Sequence, residues 1–236
     1  MPQPAADSFT PSCHGCWPHL ANESTVAFGY GRTAGAAQGR RPIDSRRQKT
    51  AGTGCASGSP GLLSEGPERP VLERLIRQHD LADSVRLLGL VDDMPAFYQN
   101  IDLFVMTSMH ESLSLVCLEA MAWGLPVIAQ CVDGIVEVVP NGQAGMLLPA
   151  TLTIAEYAAL TGASTAFARQ VYDPLRDQLV VSQLLSPDDM ADAVVRYREN
   201  TDLYMLHSKS ALSLSKKWPG HSDFIGCIYT SLLRYL

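Results

Sequence analysis

Between Asp102 and Pro149 three short apolar runs, Leu103 to Met106, Pro126 to Ala129 and Gly145 to Leu148, alternate with two segments of helical period bounded by Gly, Asn or Ser. Runs this short read as buried strands, and the intervening apolar side chains recur at three and four positions, as on a helix face. Strands joined through helices lie parallel, so the order β-α-β-α-β follows. The expected class is α/β, a Rossmann-like parallel sheet flanked by helices.

Two carboxylates interrupt this pattern, Glu111 and Glu119. On a helix from about Leu113 to Trp123, Glu119 has Leu115, Val116, Ala122 and Trp123 at three and four positions, all apolar. A charge inside an apolar stripe is expensive without a partner. A buried Arg would serve, Arg86 being a candidate, and so would a pair of ligand hydroxyls, for which a carboxylate is a two-oxygen acceptor. Glu111 follows Thr107 and Ser108 in the loop that enters the helix. Taken alone it is an ordinary solvated loop acid. In open parallel sheets, however, ligands gather beyond the carboxyl ends of the strands, so this loop faces a crevice. The amides of Ser112, Leu113, Ser114 and Leu115 open the helix and direct N–H groups into it, a suitable seat for phosphate.

The run E-S-L-S-L-V-C-L-E-A-M-A-W-G-L-P-V-I-A, then D-G-I-V-E and N-G-Q-A-G-M-L-L-P, resembles the donor-binding half of family 4 glycosyltransferases, retaining enzymes of the two-lobed GT-B fold. Their E-x7-E signature matches Glu111 and Glu119, and their G-G-x-x-E turn is similar to Asp133-Gly134-Ile135-Val136-Glu137. The resemblance implies that Glu119 binds the ribose hydroxyls of a nucleotide-sugar donor, that Glu111 meets the donor sugar as the catalytic-site acid, and that Ser112 to Leu115 line the donor loop. It also implies a base pocket beside Val91 and Asp92. No metal or other cofactor is expected, because Arg and Lys neutralise the departing diphosphate in such enzymes. The segment from Val26 to Arg32 reads as a short strand ending in a Gly-rich turn, and Arg32 matches the Arg. No Lys stands at the second position, where Gly39-Arg40-Arg41 is the nearest basic group. A second departure is Ser114, where the family commonly has Gly; a side chain there restricts how closely backbone approaches the donor.

With 236 residues and 46% hydrophobic content, the chain holds a globular core but not two lobes of nearly this size each. The implied acceptor, of unknown chemistry, therefore belongs to a separate lobe. Residues 1–64 carry six Lys/Arg and three Asp/Glu, leaving −9 on the rest of a chain of net charge −6. No broad basic face for nucleic acid results. The six cysteines are scattered, which fits a reducing compartment. Cys13-His14-Gly15-Cys16 and His19 crowd four potential ligands into seven residues, too close to wrap a zinc ion easily. The amino-terminal residues lack the basic and apolar regions of a secretion signal, and no run reaches bilayer length. The expectation is a cytoplasmic protein that can rest on the inner face of a membrane, in a setting such as polysaccharide biosynthesis.

Residues 1–64 are rich in Gly, Pro, Ser and Ala and form an irregular segment with a degraded strand-loop portion. Residues 65–236 form the nucleotide-sugar-binding domain. The resemblance fades after Arg32 and resumes at Glu65-Gly66-Pro67-Glu68-Arg69, a pattern that a shifted reading frame over residues 30–64 would produce. Beyond it are expected a helix from Pro70 to His79, a strand from Val85 to Val91, a short helix after Asp93, and closing helices to Asn200, from Asp202 to Leu214 and from Ser222 to Leu236. Residues 150–186 are longer than a link to those helices requires and read as an insertion with helical stretches at 154–160 and 165–172. A domain that keeps this fold without catalysing, and serves as a binding or assembly partner, is the alternative. A dinucleotide-binding dehydrogenase is disfavoured, because no G-x-G-x-x-G opens a strand-to-helix turn.

Overall fold

The computed structural model describes residues 69–162 and 169–218, together with the backbone of 27–30 and 61–62. The apolar runs form the strands β4 (Leu103–Met106), β5 (Val127–Gln130) and β6 (Gly145–Leu148), which pair in parallel, Phe104 with Val127 and Val127 with Gly145. Helix α3 (Leu115–Ala122) joins the first two, and the short α4 (Ile135–Val138) lies between the last two. β5 and β6 approach so closely at Gly145 that a Cβ there would stand 1.9 Å from the Val127 carbonyl oxygen.

Successive side chains of a strand point to opposite faces, and both faces of this sheet are covered. Phe104, Met106, Val127 and Ala129 pack with Cys117, Ala120 and Met121 of α3 and with Ile135 and Val138 of α4. Leu103, Val105, Ile128 and Met146 face the other way, toward Leu72 of α1 (Arg69–Gln78) and Met190, Ala193, Val194 and Tyr197 of α6 (Pro187–Glu199). Each fully buried side chain of this size contributes roughly 1.5–3 kcal/mol, so the two faces hold the sheet without help from charge. Helix α7 (Thr201–Ser215) packs along α3, and its Ser208 hydroxyl donates to the Gly124 carbonyl at 2.6 Å.

The six-stranded sheet has the order β3-β2-β1-β4-β5-β6, with β1 at Ala27–Tyr30, β2 at Gly61–Leu62 and β3 at Arg86–Leu87. β2 and β3 are parallel, but β1 is antiparallel to both its neighbours, with Tyr30 opposite Leu103 and Ala27 opposite Met106. Both β1 and β2 come from the segment before residue 65, so the sheet draws on it. β3 is shorter than the expected strand at 85–91. Gly89 takes a left-handed φ of 68°, and Leu90 beside it is 86% exposed, so pairing stops after Leu87.

Asp93 accepts from the Ala96 amide and caps α2 (Met94–Gln99), as expected. The closing helices to Asn200 and to Leu214 are α6 and α7. In the 150–186 insertion the first helical stretch is α5 (Ile154–Thr161), which opens with a reciprocal capping box between Thr153 and Glu156. The second expected helix, at 165–172, is replaced where it is described. β8 (Gln170–Asp173) pairs with β9 (Gln178–Val181) as an antiparallel hairpin, and Val171 is buried while Tyr172 faces out. β7 (Ala150–Thr153) and β10 (Gln183–Leu185) complete the insertion as a second antiparallel pair. The expected last helix at 222–236, the Cys13 to His19 cluster and Arg32 lie outside the described residues. No helix among the described residues is long and apolar enough to cross a membrane.

Candidate functional site

The carboxyl ends of β4 and β5 open onto the loop 107–114 and the turn at Asp133-Gly134, and the site is built there. Glu111 and Glu119 are both on this side, the first in the loop and the second on α3. The surroundings of Glu119 differ from the sequence expectation. The helix buries Cys117, Ala120 and Met121, whereas Glu119 itself is exposed and Leu115, on the same face, is 58% exposed. No buried ion pair with Arg86 forms; the partner is the Tyr98 hydroxyl of α2, which donates to Glu119 Oε2 at 2.9 Å. Burial, with the Glu119 charge second, pushes the Tyr98 phenol well above its ordinary pKa, so it remains a donor at any physiological pH.

Glu111 is half-buried. Burial raises its carboxyl pKa and nearby Asp133 adds to the rise, against opposing pulls from His110 and the Leu113 amide. Its backbone is clamped on both sides: Asp133 Oδ2 accepts from the Glu111 amide at 2.9 Å, and the Gly134 amide donates to the Glu111 carbonyl at 3.2 Å. A Cβ at Gly134 would stand 1.9 Å from the Ser112 carbonyl oxygen, so only Gly lets the turn lie this close to the loop. Asp133 sits at a left-handed φ of 46°.

The other expected site residues fall around this pair. Ser112 is exposed and Leu113 half-buried. Ser114 occupies the N-cap of α3 without a side-chain cap bond, and its Oγ is buried with no hydrogen-bond partner. The Leu115 amide is not available to a phosphate, because it donates to the Leu113 carbonyl at 2.9 Å; the tight turn ahead of the helix consumes it. Val91, like Leu113 and Val116, is partly buried and packs against the same apolar cluster that holds Tyr98. β1 runs against β4, its carboxyl end at Tyr30 opposite Leu103, the amino end of β4; Arg32, expected to meet the diphosphate, lies outside the described residues.

Four contributors were not singled out in the sequence: Tyr98, His110, Asp133 and Tyr172. His110 Nδ1 lies 2.6 Å from Asp133 Oδ2, and the Tyr172 amide donates to Asp133 Oδ1 at 3.0 Å. For Asp133 a signal existed, since it stands where the resembled turn has Gly. For the others nothing in spacing or composition pointed to the crevice.

A sheet with parallel central strands, helices on both faces and acids beyond the strand ends is the architecture of one GT-B lobe, and solved structures agree. The chain superposes on sucrose-phosphate synthase from Thermosynechococcus elongatus with TM-score 0.54, at 22% identity over 75% of this chain and 38% of that one. It also superposes on the pneumococcal O-GlcNAc transferase GtfA, solved with UDP and GlcNAc, with TM-score 0.54 at 16% identity over 72% of this chain and 28% of that one. Residues 61–163 match the family described as glycosyl transferases group 1. Similar curated proteins include the N-acetyl-alpha-D-glucosaminyl L-malate synthase of Bacillus anthracis, 33% identical over 50% of this chain and 28% of its own length. Another is the D-inositol 3-phosphate glycosyltransferase of Salinispora arenicola, 41% identical over 37% of this chain and 20% of its own length. The chain thus aligns with less than a third of the curated relatives it matches. Residues 61–163 are thus similar to group 1 glycosyltransferases, and the fold is that of one GT-B lobe.

Proposed function

We propose that the chain is the donor-binding lobe of a retaining, family 4 glycosyltransferase, taking a nucleotide sugar and needing a separate acceptor-binding lobe for efficient transfer. The observation that carries this reading is Glu119: an exposed carboxylate on α3, steadied through Oε2 by Tyr98. Such a group suits two adjacent ribose hydroxyls, each donating to one carboxylate oxygen. Glu111, eight residues earlier and fixed through its backbone, is placed for the hydroxyls of the sugar. No metal enters this mechanism, and charge on the departing diphosphate is met by donors of the protein. The chain is proposed to act in the cytoplasm, peripheral to the inner face of the membrane, in polysaccharide biosynthesis, on an acceptor of unknown chemistry.

Titration calorimetry with nucleoside diphosphates and the matching nucleotide sugars tests the reading. Glu119→Ala should weaken both ligands by roughly ten- to a hundredfold, the worth of a lost charged hydrogen bond. Glu111→Ala should weaken chiefly the nucleotide sugar. Unchanged diphosphate affinity in a folded Glu119 variant removes the ribose role.

A second reading, a lobe that binds donor or partner without catalysing, is favoured by the sequence after Arg32, where no Lys stands at the position that the resembled family uses for the diphosphate. An assay of the purified chain with labelled nucleotide sugars and candidate acceptors separates the two. Donor binding with no transfer, even when a matching acceptor lobe is added, selects the second reading.

A further inference from the structure

The hairpin β8–β9 reaches the site through one side chain. Asp133 is 9% exposed, and its carboxylate is fully engaged: Oδ2 takes the Glu111 amide and lies against His110 Nδ1, and Oδ1 takes the Tyr172 amide. The main chain adds a reciprocal pair, the Asp133 amide donating to the Tyr172 carbonyl at 3.0 Å and the Gly134 amide to the Glu111 carbonyl. Asp133 therefore stitches β8 to the peptide of Glu111. It does so from a left-handed backbone that a residue with a Cβ adopts at some strain, a conformation that persists when surrounding bonds determine it. The carboxyl end of β5 is tied to the same insertion, since Gln130 Nε2 donates to the Gln183 carbonyl at 3.0 Å.

We propose that Asp133 is a positioning residue for Glu111, and that the hairpin β8–β9 braces it, so that the 150–186 insertion governs how the sugar of the donor is held. The inference rests on the reading of Glu111 as the sugar-facing acid. Asp133 itself touches no ligand in this scheme. It fixes the Glu111 peptide, and thereby the arc through which the Glu111 carboxylate swings, while Glu119 and Tyr98 hold the nucleotide independently.

Two substitutions probe the brace from its two ends. Asp133→Asn keeps the shape and tolerates the left-handed backbone, but offers one acceptor oxygen where two amides need one each. Tyr172→Pro removes the amide from the outer edge of β8, where it bonds Asp133 and not β9, a strand position that accepts Pro. UDP, GDP and ADP, each alone and as its glucose conjugate, are titrated into the full chain and the two variants. Affinity for the nucleotide sugar should fall about tenfold in both variants while that for the diphosphate stays within about twofold. In hydrogen exchange, the Glu111 amide should exchange at least about tenfold faster in both.

Unaltered nucleotide-sugar affinity in both variants, with native near-UV dichroism, overturns the proposal. An equal loss for sugar-bearing and sugar-free ligands overturns it too, because that is the mark of a merely structural residue. Should the unaltered chain bind none of the ligands, it is the donor-site reading that fails. The Glu111 amide then decides the brace by itself: faster exchange in both variants upholds the positioning role, and unchanged exchange ends it.

Discussion

Tyr98 sets how much freedom Glu119 has, and the apolar neighbours of Glu119 in sequence obscured that. Helix α3 is apolar around most of its circumference, so residues at three and four positions could not show which face is buried. The exposed Leu115 lies on the face of Glu119, and the buried Cys117 and Met121 lie on the other. Tyr98→Phe removes the hydroxyl from Glu119 Oε2 and should cost about 1 kcal/mol of stability, the net worth of one hydrogen bond, as read by urea unfolding. Because water can replace the phenol at an exposed carboxylate, diphosphate affinity should fall less than in Glu119→Ala. Glu111 carries a pH dependence. Its carboxyl pKa is raised above the ordinary 4.5, first by burial, so the folded chain holds this proton more tightly than the unfolded chain does. The associated stability is complete below pH 4.5 and declines as pH rises through the raised value. Glu111→Gln imitates the protonated acid. Its melting temperature should gain on that of the unaltered chain as pH rises from the ordinary carboxylate range to neutrality, and a pH-independent difference would contradict the argument.

At the scale of elements, strands filled by apolar runs were legible and the insertion was only half so. β4 and β6 occupy the runs read from the sequence, and β5 is displaced by one residue, because burial on both faces leaves unbroken apolar runs. β8 was hidden by its neighbours. Over four residues a two-residue alternation with Val171 in and Tyr172 out resembles a fragment of helix, and only pairing with β9 distinguishes them. The contact between the turn at Gly134 and the loop at Ser112 is another property of two elements meeting, invisible in either alone. Gly134→Ala must push the Ser112 carbonyl aside, since the new Cβ would stand 1.9 Å from it. A loss of about 1–3 kcal/mol is expected in urea unfolding, as for an overpacked site, together with weaker nucleotide-sugar binding. Stability equal to that of the unaltered chain would mean that the loop yields freely and that Glu111 is less firmly placed than its backbone bonds imply.

For the whole molecule the departure is β1. The strands β4, β5 and β6 present their carboxyl ends to one crevice, as ligand-binding parallel sheets do, whereas β1, between β2 and β4, presents its amino end. A strand joined to such a sheet through a right-handed crossover keeps the common direction, and β1 departs from that pattern. The sequence agrees from a second side. The match to group 1 glycosyltransferases begins at residue 61, and the Lys that accompanies the Arg in the resembled enzymes is missing here. We propose that a frame displaced over residues about 30 to 64 accounts for the missing Lys, because it would replace a strand, its Lys-Gly turn and a helix by residues of unrelated pattern while restoring the register ahead of Glu65. The coding DNA decides it: read in the other two frames, this stretch should yield an apolar strand of four to six residues (about the usual strand length) and a Lys-Gly. A chain carrying the restored frame should then bind nucleoside diphosphate more tightly than the present one, through the recovered charges. If neither frame contains such a strand, that origin is excluded, and a diphosphate bound by this chain must be held without the Lys.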